Sequence, residues 1–107
     1  IYLFMHHPPF DLHLPCIDRI GLKDKERFNQ VIQNHKHSIR HLFFGHAHRP
    51  LTGNWLGISF SSLRGTNHQV KLDFKSQVIT ALDEPPEYSV VFMTEESVVV
   101  HSHSYPL

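Results

Sequence analysis

Two histidines follow an apolar run in the stretch LFFGHAHRP, which spans residues 42–50. The run ending at Phe44 is too apolar for a surface loop and is typical of a buried strand. Gly45 predicts a sharp backbone turn, because glycine has no Cβ. His46 and His48 therefore stand at a strand end, where a rigid sheet can hold them in a site. Neutral imidazole is the commonest side-chain metal ligand, so the pair predicts a metal site if a further ligand is near.

A further ligand of the same kind occurs in the N-terminal stretch IYLFMHHPPF, residues 1–10. An apolar run again ends in histidine, and two prolines then prevent continued pairing in a sheet. If the two runs are adjacent parallel strands, His6 comes close to His46 and His48 at their common carboxyl edge. Open α/β sheets bind ligands at that edge. His7 is left out of the predicted ligand set, since it can orient a neighbour or simply pack in the loop.

The segment between these strands predicts a helix. Asp24 is a suitable N-cap, and apolar residues then follow with helical spacing to about His35, at Phe28, Val31 and Ile32. His35 and His37 are interpreted as residues at the helix C-terminus, where basic groups suit the dipole, and not as ligands. A strand–helix–strand unit of this length implies parallel strands with a right-handed crossover, and residues 1–5 are expected to form a central strand.

The second half of the chain predicts shorter strands. We expect a turn at Gly53–Gly57, a strand ending near Leu63, and an alternating strand at residues 66–74 with His68 on its apolar side. A short strand is expected at 77–81 and a linker at 83–86. A hairpin is predicted around residues 94–96, with strands 88–93 and 97–101. His101 and His103 share one face of its second strand and are interpreted as an edge feature, although they could chelate.

Four motifs occur in order along almost the whole chain: HHPP, GHAHRP, GNW and RGTNHQV. Together they resemble the C-terminal half of a calcineurin-like metallophosphoesterase, in the branch of class III cyclic-nucleotide and glycerophosphodiester phosphodiesterases. The resemblance implies an α/β fold, the C-terminal half of a four-layer α/β/β/α sandwich with a mixed sheet, one main helix and a C-terminal β-hairpin. Residues 1–107 would be part of one domain, with core elements in 1–82 and a hairpin in 83–107 that contacts another subunit.

The resemblance also implies roles for single residues. His6 and His46 would bind one metal ion and His48 a second. His68 would lie beside the metal centre and meet the substrate, unless it is a hydrogen-bonded core histidine. Arg49 would contact phosphate, unless it makes a structural contact beside the turn. The cofactors would be two divalent or trivalent ions of Fe, Mn, Zn or Co, which suit imidazole and carboxylate ligands and drive phosphodiester hydrolysis.

Members of this family carry further ligands upstream, in a DxH motif, a bridging Asp and an Asn followed by His. None of these occurs before His6, and the letters D-x-H at residues 11–13 fall in a loop after HHPP, where we regard them as coincidence. We therefore expect a fragment whose missing partner is the N-terminal half of its own domain. The full-length parent would hydrolyse a phosphodiester, and the fragment would bind one ion or none and be inactive.

Two other functions stay open. His6, His46 and His48 alone could form a mononuclear three-histidine site with an open position for water. Alternatively, the chain could be a non-catalytic module that forms a homo-oligomer through its C-terminal strands. Cyclic nucleotides, glycerophosphodiesters and aryl diesters are all compatible substrates. The loop at residues 10–23 and a cap that is absent from this sequence would decide among them, and the sequence does not favour one.

Composition narrows the class of partner. The formal net charge of the 107 residues is zero, which favours neither a nucleic-acid polymer nor an anionic membrane. No apolar run approaches the roughly 20 residues of a membrane span. The single cysteine, Cys16, is predicted to be a small apolar filler, and a chain with no internal disulfide fits the cytoplasm. The 11 histidines are dispersed and do not form a tag.

Overall fold

The chain forms an α/β structure with one mixed sheet, one main helix and a C-terminal hairpin, as a computed structural model of residues 1–106 shows. The sequence predicted this class, and it is confirmed. The elements are β1 (Tyr2–Met5), α1 (Pro15–Asp18), α2 (Lys25–Gln33), a 3-10 turn (Lys36–Ser38), β2 (His41–Phe44), β3 (Leu51–Trp55), β4 (Ile58–Ser62), β5 (Gln69–Val70), β6 (Ala81–Leu82), β7 (Glu87–Met93) and β8 (Val98–Ser104).

The main sheet has the strand order β1-β2-β4-β3. β2 is parallel to β1 and to β4, whereas β3 is antiparallel to β4. The parallel pairing of the first two strands is therefore confirmed. Met5 is paired with Phe44, so both strands end at the same edge, and the Gly45 amide donates to the His6 carbonyl over 3.0 Å. The prediction that β1 is central is wrong within residues 1–106, since β1 is an edge strand and Phe4 is 69% exposed.

Helix α2 covers one face of this sheet. Ile32 is buried and packs in a cluster with Leu42, Phe44 and Ile58. Val31, predicted to share this apolar face, is instead exposed, because only part of the helix faces the sheet. Asp24 stands at the N-cap, but its side chain makes no capping hydrogen bond. The helix is thus held mainly by burial of apolar area.

A second, smaller apolar cluster lies under the loop between β1 and α2. The short helix α1 contributes Cys16 and Ile17, which pack with Leu14, Ala47 and Val70. Cys16 is 1% exposed, so its predicted role as an apolar filler is confirmed. In the same loop, Asp18 accepts a hydrogen bond from the Leu12 amide. Because Ala47 lies between the two histidines of the GHAH turn, this cluster anchors the turn to the loop.

The predicted turn at Gly53–Gly57 is misplaced. Gly53 lies inside β3, opposite Phe60, and the turn occupies Leu56 and Gly57, both with positive φ. A Cβ on Gly53 would lie 2.6 Å from the Cζ of Phe60, so the aromatic ring fills the space of the missing side chain. Packing across the hairpin therefore explains a glycine that the sequence suggested was a turn residue.

The predicted strand at residues 66–74 is also wrong in extent. Only Gln69–Val70 is paired, with β6 at Ala81–Leu82 in place of the strand expected at 77–81. Leu72 and Phe74 are 47% and 64% exposed and share no buried face with Val70. The Asp73 carboxylate accepts hydrogen bonds from the amides of residues 75 and 76, a local turn that ends the extended run.

The C-terminal hairpin is confirmed and is longer than predicted. Its pairs run from Glu87–Ser104 to Met93–Val98, and the Thr94 hydroxyl closes the turn. Residues 83–86 are held in place, because Glu84 pairs with Arg64 at 2.8 Å. The division of the domain at residue 83 stays a prediction. Within residues 1–106, no helix combines the length and apolar character needed to cross a bilayer.

Candidate metal centre at the carboxyl edge of the sheet

Three histidines meet where β1 and β2 end. Potential ligand atoms of His6, His7 and His46 lie within 4.8 Å of one another. The Nε2 of His6 is 3.2 Å from the Nδ1 of His46. Two nitrogens that each bind one zinc ion at about 2.05 Å in a tetrahedral site are roughly 3.3 Å apart. The observed separation therefore fits a shared ion as well as it fits a hydrogen bond.

The GHAH turn has an unusual backbone. His46 and His48 have φ values of 67° and 53°, in the left-handed region. β2 ends immediately before Gly45, as predicted, but Gly45 itself is not left-handed, so the left-handed backbone of the turn falls on the two histidines. A non-glycine residue there is strained by about 1–2 kcal/mol. The buried Ala47 between them holds the turn in this conformation. Strain that packing maintains is frequent at functional sites.

The electrostatic surroundings of His46 favour the neutral imidazole. Burial lowers the pKa of His46 below its ordinary value of 6.5, and the nearby His7 and His6 lower it further, while the Ile20 backbone weakly opposes this. A neutral ring keeps the lone pair that a metal needs. The Nε2 of His46 is buried and has no partner that meets hydrogen-bond geometry among residues 1–106. A buried nitrogen without a partner is costly. Because Nδ1 is the nitrogen that faces His6, Nε2 is not part of the geometry that fits a shared ion.

His48 lies apart from this group and faces His68. The two rings stack with centroids 4.4 Å apart and planes 24° apart. The His48 Nδ1 is 2.6 Å from the His68 carbonyl oxygen. A carbonyl only accepts, so Nδ1 carries the proton and Nε2 keeps its lone pair. Its assignment to a second metal ion stays a prediction.

The two predicted substrate residues occupy different surroundings. The prediction that His68 points with the apolar side is wrong, because its side chain is exposed. Arg49 makes the structural contact that was the alternative to phosphate binding: its Nη1 donates to the Val70 carbonyl, and its own carbonyl accepts from Ser62. The Nε of Arg49 is buried without a partner among the described residues. Substrate contact by either residue stays a prediction.

A cavity of about 320 Å³ opens beside these histidines. Its size lies within the range of small-ligand sites. Its polar lining comprises His6, His46, His48, Arg64, Thr66 and Glu87. Glu87 accepts a hydrogen bond from the Arg64 amide at 3.1 Å. Glu87 was not among the predicted site residues, since an acidic residue after a proline pair carries no distinctive signal. His7 was left out of the predicted ligand set, although its adjacency to His6 was a usable signal.

Other histidines are not part of the group. Helix α2 ends at Gln33, two residues before its predicted end, so His35 precedes the 3-10 turn and His37 lies within it. His101 and His103 lie exposed on β8. Asp11 binds Lys25 at 2.7 Å, which agrees with treating the D-x-H letters as coincidence. Among residues 1–106, the group at His6 is the one cluster of three such ligands.

The sequence of the chain is similar to the sequences of named bacterial proteins. It is 39% identical over 106 residues to a "Probable cyclic nucleotide phosphodiesterase" of Rhodopseudomonas palustris, covering 98% of this chain and 38% of the relative. It is 29% identical over 107 residues to a "Probable glycerophosphodiester phosphodiesterase" of Arcobacter nitrofigilis, covering 98% and 39%. A "Probable cyclic nucleotide phosphodiesterase" of a Synechococcus species is 43% identical over 47 residues, 44% of this chain and 18% of the relative.

No protein-family profile matches the chain. The chain spans about two fifths of the length of the first two relatives. Their names agree with the resemblance carried by the HHPP, GHAHRP and RGTNHQV motifs, which is thereby confirmed.

Proposed function

We propose that the protein containing this chain belongs to the metallophosphoesterase family and hydrolyses phosphodiesters with bound metal ions, since its relatives are named as probable cyclic-nucleotide and glycerophosphodiester phosphodiesterases. The observation that carries the proposal is the 3.2 Å approach of His6 and His46 at the carboxyl edge of the sheet. The lowered pKa of His46, which keeps its ring neutral, supports it.

The activity belongs to the larger protein. The matched relatives are more than twice as long as this chain. We propose that the rest of the domain completes a four-layer α/β/β/α sandwich and supplies carboxylate ligands, with two ions of Fe, Mn, Zn or Co in the complete site. On this proposal the 107-residue chain alone is inactive, and the intact enzyme acts in the cytoplasm on a phosphodiester.

The side chains of this chain have distinct tasks in that reaction. When bound, the ions offset phosphate charge and lower the pKa of water. His6 and His46 would hold one ion. His48 would offer Nε2 toward the second, because its Nδ1–H donates to the His68 carbonyl. His68 and Arg49 lie beside this site and are the proposed substrate contacts.

A second candidate function is mononuclear metal binding. It is favoured because His7 lies in one group with His6 and His46. His6, His7 and His46 together offer three imidazole ligands from one short region. Catalytic zinc sites often have three protein ligands and leave the fourth position to water. A mononuclear three-histidine site would therefore form in the chain by itself, without ligands from the rest of the domain.

The outer face of the hairpin is the proposed oligomer contact. Tyr88, Val90 and Phe92 are 50–58% exposed on one side of β7, with Val99 beside them on β8. Adjacent exposed apolar side chains of this size mark interaction surfaces. We propose that a second copy pairs here, which is also the basis of the third function, a pairing module without catalysis.

The function is tested on the purified protein that contains this chain, stripped of metal and reloaded with Mn²⁺ or Zn²⁺. Hydrolysis of a cyclic nucleotide, a glycerophosphodiester and an aryl diester is measured for the wild type and for His46→Ala. We expect metal-dependent hydrolysis of at least one diester. We expect His46→Ala to lower kcat/KM by more than the 10–100-fold that loss of a partner of a ligand costs.

His35→Ala is the matched control, because His35 lies outside the histidine group. We expect this variant to keep full activity. Absence of hydrolysis with every metal and diester, or equal activity of His46→Ala and His35→Ala, overturns the proposal.

A further inference from the structure

The side chain of Gln69 closes a small ring in the loop that follows β4. Its Nε2 donates to the Gly65 carbonyl and its Oε1 accepts from the Gly65 amide, both at 2.8 Å. The residue is only 1% exposed. A buried amide is costly unless it is hydrogen-bonded, and here both ends of the amide are satisfied by one residue. The loop from 65 to 69 is therefore held in one conformation.

Both ends of this loop are fixed to other elements. On one side the Arg64 amide donates to the Glu87 carboxylate at 3.1 Å. On the other side the Val70 amide donates to the His48 carbonyl at 3.3 Å, and Val70 is buried with Ala47. The 65–69 loop, which the two hydrogen bonds of Gln69 close, thus connects the hairpin to the GHAH turn.

The fixed loop packs against His48. The His68 carbonyl accepts the Nδ1 proton of His48. A Cβ on Gly65 would overlap the His48 ring and lie 2.9 Å from the His68 oxygen. His48 itself has a left-handed φ of 53°, a strained conformation that its surroundings must maintain. If the loop were displaced, the His48 ring would lose its packing contact. Its Nδ1–H would also lose the carbonyl that fixes the tautomer.

We infer that Gln69 is a positioning residue: by closing the 65–69 loop, it places the His68 carbonyl so that His48 is protonated on Nδ1 and presents the lone pair of Nε2. Metal-binding histidines are commonly oriented in this way by a carbonyl that accepts their other N–H. The effect of Gln69 on the tautomer of His48 does not depend on the function of the protein. The effect of Gln69 on catalysis rests on the proposed phosphodiesterase function.

The structural part is tested by long-range nitrogen–proton NMR on the 107-residue chain, which distinguishes the two histidine tautomers. The wild type is expected to show His48 protonated on Nδ1. Gln69→Met keeps the length of the side chain and removes both hydrogen bonds, so His48 is expected to change to a tautomer mixture. Gln69→Glu keeps only the bond from the Gly65 amide and is expected to give a smaller change, which covers the case in which Gln69→Met does not fold.

Gln30→Met is the matched control, since Gln30 is exposed on α2 and the change in chemistry is the same. It is expected to leave the His48 signals unchanged. If His48 remains protonated on Nδ1 alone in both Gln69 variants, or if it lacks this form in the wild type, the inference is overturned.

The catalytic part is tested in the protein that contains the chain. Gln69→Met is expected to lower kcat/KM for diester hydrolysis by about 10–100-fold, the usual cost of losing an orienting partner. Equal kcat/KM values for Gln69→Met and the wild type would contradict a role in catalysis. A wild type with no diester hydrolysis would instead overturn the proposed function, and the NMR result would still decide the positioning role.

Discussion

The His6 and His46 rings approach to 3.2 Å, although 40 positions separate them in the chain. The pairing of Met5 with Phe44 in parallel strands produces this approach, because His6 follows directly after β1 and His46 follows β2 after the single residue Gly45. The sheet therefore sets the distance between the two rings. A ligand that needs two imidazoles finds them already placed, which lowers the ordering cost of binding.

Zinc binding to the 107-residue chain distinguishes the two ligand sets. If His6, His7 and His46 bind one ion, His7→Gln is expected to weaken zinc binding by at least about 10-fold, the lower end of what loss of a supporting partner costs. His48→Gln is expected to have little effect, because His48 faces His68 instead. Isothermal titration calorimetry measures both. The opposite ranking would support the set His6, His46 and His48.

Acid is expected to destabilise the chain through His41. This histidine is 6% exposed, and hydroxyls of Ser59 and Ser61 lie 2.8 Å from its two nitrogens. Burial lowers the pKa of His41 below its ordinary value of 6.5. The unfolded chain then binds this proton more readily, so the stabilising contribution is complete above pH 6.5 and is lost as the pH falls toward the folded pKa.

Urea midpoints at pH 7.5 and 5.5 measure this dependence, at about one unit on either side of the ordinary histidine pKa. The midpoint of the wild type is expected to fall at the lower pH. His41→Gln is expected to show a smaller fall, while His46 continues to contribute in the same direction. An identical fall in both proteins would show that His41 is not involved.

Loss of a core side chain is expected to be severe on β2. Leu42 is 1% exposed and packs with Ile32 and Ile58. Leu42→Ala is expected to lower the free energy of unfolding by about 2–5 kcal/mol, through lost burial and the cavity left behind. Val31→Ala is the control, since Val31 is 54% exposed, and about 0.5 kcal/mol or less is expected. Denaturant titration that ranks the two variants equally would contradict the packing described.

Two glycine substitutions separate crowding from backbone strain. Gly65→Ala places a methyl group against the His48 ring and is expected to cost about 1–3 kcal/mol, as overpacking does. Gly57→Ala meets no atom within 4 Å but has a φ of +84°, so strain of about 1–2 kcal/mol is expected. Only Gly65→Ala is expected to shift the NMR signals of His48. A shift in both variants would indicate that the effect is not local.

Charge on the outer face of the hairpin is expected to prevent self-association. Phe92 is 58% exposed on β7, and Phe92→Glu would place a carboxylate within the proposed contact. Sedimentation analysis should show a homo-oligomer for the wild type and a monomer for the variant. Val31→Glu, at a similarly exposed apolar position on α2, should leave association unchanged. A monomeric wild type would exclude the contact at the concentrations used.

The sequence predicted those features that depend on short-range patterns. Two apolar runs that each end in histidine sufficed for the parallel pair and for the placement of His6 near His46. The turn residues at 94–96 between two β-branched runs sufficed for the hairpin. Both predictions depend on periodicity and chain breaks, which tertiary contacts here reinforce.

Features that depend on packing were missed. The strain of the GHAH turn falls on His46 and His48 because Ala47, 0% exposed, is held in the cluster with Cys16 and Val70. The position of Gly53 inside a strand depends on the ring of Phe60 across the sheet. Neither contact can be inferred from neighbouring letters, since each involves residues distant in sequence.

Glu87 belongs to the hairpin and to the site at once: it is the first residue of β7, it lines the cavity, and it binds the Arg64 amide next to the loop that contacts His48. If a second copy pairs on the proposed face of the hairpin, subunit association and ligand binding are expected to be linked equilibria. A ligand that displaces the loop changes the association constant by some factor, and association changes the affinity for that ligand by the same factor. Cooperativity between subunits would then require no contact between their cavities.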